Sequence, residues 1–70
     1  MDRLVVAERL RRDGYVVYSW EPSPGTVEPD IVAKKESVLY NIYLKKDDAK
    51  YEKQQAYAKK HGAEVLFILN

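Results

Sequence analysis

Asp30 and Lys45 are the side chains of this sequence best placed, by type and spacing, for chemistry on a charged substrate. They lie within "EPDIVAKKESVLYNIYLKK", residues 28–46, where Asp30 opens one apolar run and Lys45 closes the next. Side chains alternate along a strand. Leu39, Asn41, Tyr43 and Lys45 therefore share one face of the second run, and Val38, Tyr40, Ile42 and Leu44 share the other. The second set makes the better core face, so the first is expected to border a cleft or solvent. A short hairpin between the runs brings Asp30 beside Tyr43 to Lys45, and lets Asp30 and Lys45 meet across the strand pair. In its plainest form that meeting is an exposed ion pair worth ~0–1 kcal/mol. With no cysteine and His61 as the sole imidazole, any metal would be held through oxygen, which suits Mg²⁺ or Mn²⁺.

The elements that must position these residues follow from pattern. Residues 2–13 read as a helix with Leu4, Val6, Ala7 and Leu10 on one side, Asp2 at its start and Arg9, Arg11 and Arg12 at its end, and Gly14 past its C-terminus. "YVVYSW" (15–20) reads as a strand apolar enough to be buried on both faces. "EPSPGTVEP" (21–29) holds all three prolines and is a loop. "DIVAKK" (30–35) and "SVLYNIYLK" (37–45) are strands joined by a tight turn at Glu36-Ser37. Asp47 or Asp48 caps a second helix over roughly 48–61, Gly62 ends it, and "EVLFIL" (64–69) is a strand covered on both faces. The order is α-β-β-β-α-β: an α/β domain with a four-stranded mixed sheet in the order 1-2-3-4. The first three strands form an antiparallel meander, and the last is reached by a right-handed crossover.

Seventy residues make one domain at most, with a thin core. No apolar run is long enough for a membrane helix, and "MDRLVVAERLRRDG" carries acids and too short an apolar stretch for a signal peptide. A cytoplasmic protein is expected. The 33% charged content, absent cysteine and single methionine are compatible with a thermophile. Net charge is only +1, yet residues 34–60 carry eight lysines against four acids. This basic half, facing an acidic group of Glu21, Glu28, Asp30 and Glu64, has the makings of a phosphate site beside a metal; the plain reading of the same charges is a solvated surface.

The layout, Pro29-Asp30 and the strand ending in Lys45 resemble the PD-(D/E)xK nuclease superfamily. Within it, "RDGYVVYSWEPSPGTVEPDIVAKKESVLYNIYLKK" followed by "KQQAYAKKHGAEVLFI" is most similar to archaeal Holliday-junction resolvases and RecB-like nucleases. The resemblance covers nearly the whole chain and implies a restriction-endonuclease-like fold. It also implies that Asp30 ligates Mg²⁺ or Mn²⁺ with the backbone carbonyl of Leu44, and that Lys45 is the catalytic lysine. The loop at 21–28 would approach the DNA backbone, with Ser19 and Ser23 on phosphate and Lys34, Lys35 and Lys46 as basic contacts. Two acids of the family pattern are missing. The early helical glutamate falls near Arg3, beside Asp2 and well before Glu8, and Tyr43 stands where the second carboxylate belongs. A phenol with a reference pKa near ~10 is neutral at pH 7, so the expected function is DNA binding with metal-dependent hydrolysis weakened or lost. The alternative is a catalytically inactive module that self-associates. A thin core and open sheet edges favour a homodimer.

Three other features have plainer readings. Gln54 and Gln55 are expected to be solvent-facing helix polars, His61 a helix C-terminal cation, and the six tyrosines with Trp20 chiefly core or interface residues.

Overall fold

A computed structural model describes residues 2–18 and 26–69. Ser19, Trp20, Glu21 and Ser23 lie outside the described residues. The described chain runs α1 (Arg3–Arg12), β1 (Val16–Tyr18), β2 (Ile31–Lys35), β3 (Val38–Tyr43), a 3₁₀ turn (Asp48–Lys50), α2 (Tyr51–Lys60) and β4 (Ala63–Phe67). The sheet order is β1-β2-β3-β4, antiparallel between β1 and β2 and between β2 and β3, and parallel between β3 and β4. Element order and strand directions are those expected from the sequence.

Local chemistry fixes the boundaries. The Asp2 side chain accepts from the Leu4 N–H at 2.9 Å, and Asp47 accepts from the Ala49 N–H at 3.0 Å, so each helical segment starts on an aspartate that satisfies an otherwise unpaired donor. The β2–β3 turn closes on the pair Lys35↔Val38. Its central residues Glu36 and Ser37 both have positive φ, 49° and 70°, the pattern of a two-residue type I′ hairpin made without glycine.

Alternation sorts the sheet into two faces. On one, Val6, Ala7 and Leu10 of α1 pack on Ile31, Ala33 and Ile42, flanked by Tyr15, Val17, Tyr40, Leu44, Leu66 and Ile68. On the other lie Asn41 and Tyr43, both 4% exposed, with Gln54 and Ala58 of α2. This corrects the expectation that the Asn41–Tyr43 face borders a cleft or solvent. The reason is the crossover: a helix joining two parallel neighbours must lie over one face of the sheet, and α2 lies over this one.

Four narrower expectations also change. Gln54 is buried, not solvent-facing. Val16 (60% exposed) and Tyr18 (44%) are not covered, because β1 is an edge strand and α2 packs against β4 at the far side of the sheet. Leu4 is 75% exposed, since α1 meets the core through Val6, Ala7 and Leu10 and Leu4 lies round the helix from the centre of that face. β4 is only half-buried, with Glu64 exposed, as befits the opposite edge. No helix among the described residues is long and apolar enough to cross a membrane.

Candidate functional site

Asp30 sits one residue before β2, directly after Pro29, which is fully buried. Its N–H donates to the Ile42 carbonyl at 2.9 Å, and its Oδ2 accepts from the Leu44 N–H at 2.9 Å. Asp30 therefore grips the end of β3 from both sides of one residue. Because the ladder gives Leu44 no strand carbonyl there, a carboxylate takes that place, and a charge-assisted bond of this kind is among the stronger ones. The half-buried Asp30 is held by the fold whatever else it does.

Tyr43, the last residue of β3, lies against this latch. Its hydroxyl donates to the Val27 carbonyl, tying β3 to the segment leading into Asp30. Its pKa is pushed up from 10.0 to about 12, first by burial and then by the neighbouring Tyr57 and Asp30. Tyr43 is therefore a neutral hydrogen-bond donor across the physiological range. Its ring packs on Phe67 with centroids 5.7 Å apart, and Phe67 stacks on Tyr51 at 5.8 Å. Lys46 caps this aromatic row, with Nζ 5.9 Å from the centroids of both Tyr51 and Phe67.

Asp30, Leu44, Lys45 and Lys46 thus gather at one end of the sheet, where β3 finishes. Lys45 is exposed and forms no ion pair with Asp30; an ion pair that does form is the exposed Arg12–Glu8 contact at 3.8 Å. Lys34 and Lys35 lie at the opposite, hairpin end of β2, roughly 15–20 Å away along strands of this length, and alternation sets them on opposite faces. Lys35 is half-buried with Nζ 4.9 Å from the Tyr15 ring centroid, whereas Lys34 is exposed. The basic residues proposed from sequence as one surface are therefore split between two ends, and Ser23 lies outside the described residues. No group of three or more His, Asp or Glu gathers among the described residues.

Sequence reasoning missed the polar interior of the α2 face. Asn41 Nδ2 and Gln54 Oε1 are buried with no hydrogen-bond partner. The available signal was Asn41 itself, a lone carboxamide inside "VLYNIYL", since strand interiors disfavour asparagine. Phe67 had no such signal; its partnership with Tyr43 and Tyr51 appears only once β4 is set parallel to β3. The chain matches no protein-family model, no curated protein and no solved structure.

Proposed function

We propose that this chain is a nuclease-like domain of PD-(D/E)xK architecture that associates with DNA and has weakened or lost metal-dependent phosphodiester hydrolysis. The observation that carries the reading is Tyr43. At the position where the resemblance calls for a second carboxylate stands a phenol whose proton is engaged on the Val27 carbonyl and whose pKa lies near about 12. Mg²⁺ demands near-octahedral oxygen coordination, while Asp30 and, by the resemblance, the Leu44 carbonyl supply only two ligands. Asp30 already spends one oxygen on the Leu44 N–H. This donor set does not fit a tightly held Mg²⁺ or Mn²⁺. Lys45 and Lys46, both exposed and at the same end of the sheet as Asp30, supply the positive charge a phosphate backbone requires.

The test pairs cleavage with binding. Branched and linear DNA are incubated with the protein and Mg²⁺ or Mn²⁺, and binding is followed by fluorescence anisotropy across a salt series. The expected result is little or no cleavage, with binding that weakens steeply as salt rises and is reduced by Lys45→Ala and Lys46→Ala. Cleavage abolished by Asp30→Asn and by Lys45→Ala would overturn the loss of catalysis, and absence of binding at low salt would overturn the association with DNA.

One observation favours a second reading, a self-associating module without catalysis. Val16 and Tyr18 are exposed apolar residues on an edge strand, the kind of surface that pairs with another chain. Light scattering separates the two readings: a mass that doubles with concentration and is returned to monomer by Val16→Lys supports self-association, and a constant monomer mass ends it.

A further inference from the structure

The α2 face holds a pocket of about 240 Å³ lined by Pro29, Val32, Leu39, Asn41, Tyr57 and His61. That is smaller than the roughly 300–1,000 Å³ of drug-sized ligand sites, and suits one planar ring system. Its walls are of two kinds. Pro29, Val32 and Leu39 are apolar, while Tyr57 and His61 present two aromatic rings whose centroids lie 4.6 Å apart at an interplanar angle of 52°. Between these walls stands Asn41, 4% exposed, with Nδ2 buried and unpartnered.

A buried amide donor left unpaired costs about 1–3 kcal/mol, so Asn41 is not explained as a stabilising residue. A carboxamide offers donor and acceptor side by side, and a half-turn about χ2 exchanges them. Adenine presents the matching pair, an acceptor beside an exocyclic donor, and asparagine reads that edge with two bonds. Aromatic side chains provide faces on which any base can stack. The geometry points to a pocket for a single nucleobase, adenine fitting best, held at its edge by Asn41 and stacked on one side against the packed Tyr57–His61 pair. Asn41 stands two residues before Tyr43 on the same face of β3, so the pocket opens on the side of the sheet that carries Tyr43. The inference rests on the nucleic-acid reading above and adds the unit of the nucleic acid that is gripped: an unstacked base, not the phosphate backbone.

Amide NMR spectra of the full chain, titrated with adenosine, cytidine and ribose 5-phosphate, test it. Saturable shifts are expected with adenosine at Asn41, Tyr57 and His61, weaker ones with cytidine, and none at these residues with the base-free sugar phosphate. Asn41→Leu should weaken adenosine binding about tenfold or more, the scale of one bidentate base contact. Leu39→Trp, which fills the pocket from a half-buried position, should abolish it, and this variant decides the matter if Asn41→Leu does not fold. Equal shifts with ribose 5-phosphate, no saturable shift with adenosine, or full affinity in the folded Leu39→Trp protein would each overturn the pocket. Nucleoside binding without salt-dependent DNA binding keeps the pocket and ends the DNA reading; DNA binding without nucleoside binding does the reverse.

Discussion

The two faces of the sheet are built on different terms. Beneath α1, Val6, Ala7 and Leu10 meet Ile31, Ala33 and Ile42, and among the described residues no buried polar side chain intervenes. Beneath α2, Asn41, Tyr43 and Gln54 are buried together with Ala58, two amide atoms lack partners and a pocket remains open. So short a chain has little apolar surface to spend. It concentrates the dry packing on one face and leaves the other polar, hydrogen-bonded and incompletely filled. Stability is to be sought on the first face and selectivity for a ligand on the second.

The largest expected effect attacks the dry face. Ile42, 0% exposed, should cost about 2–5 kcal/mol when replaced by alanine, read from urea denaturation. A loss under about 1 kcal/mol would show that the α1 face does not carry the fold.

On the polar face, the proton of Tyr43 sets the next effect. The unfolded chain loses this proton near pH 10 while the folded chain holds it to about 12. The folded state therefore binds more protons in that interval, and the stability Tyr43 contributes is complete below pH 10 and lost as pH rises from 10 to 12. The loss amounts to at most about 2–3 kcal/mol. Denaturation curves at pH 9 and pH 11.5 should differ by less in Tyr43→Phe than in the unaltered chain; an unchanged difference would remove Tyr43 as the cause.

A comparable or smaller change comes from the latch. Asp30→Ala strands the Leu44 N–H and should cost about 1–3 kcal/mol. Asp30→Asn keeps an acceptor oxygen and should recover most of it. Thermal melts of the two variants compare them directly, and equal losses would mean that the carboxylate's charge, not the bond, matters. Because Asp30→Asn keeps an acceptor for the Leu44 N–H, it is also the sounder variant for cleavage assays.

The smallest effect is expected at Gln54. Replacing it by leucine removes an unpaired buried acceptor, so stability should stay within about 1 kcal/mol of the starting protein or rise. A loss above about 2 kcal/mol would reveal a partner for Gln54 in solution and narrow the contrast between the faces.

How much of this was legible in the sequence depended on the range of the signal. Helix ends were legible because they are local: Asp2, Asp47, Gly14 and Gly62 act through their own backbone. Strand directions were legible because a tight turn makes an antiparallel pair and a helical link makes a parallel one. The burial of Asn41, Tyr43 and Gln54 was not, because it depends on where α2 comes to rest, and the apolar content of that helix is too thin to announce a buried side. The pairing of Asp30 with Lys45 failed for a related reason. Proximity in register says nothing of which partner is bonded, and the backbone donor of Leu44 lies closer to the carboxylate than any lysine that must surrender its hydration.

The Glu36-Ser37 turn has a consequence at the other end of the sheet. Two residues with positive φ act as a ruler: they fix Lys35 opposite Val38, and every later rung follows, down to Ile31 opposite Ile42. A slip of one residue would exchange the two faces, swinging Ile42 toward α2 and Asn41 into the aliphatic packing under α1, and carrying Asp30 off the Leu44 N–H. The information that aligns the aspartate is thus written farthest from it, in the turn where neither residue is the glycine that would hold such a shape most readily.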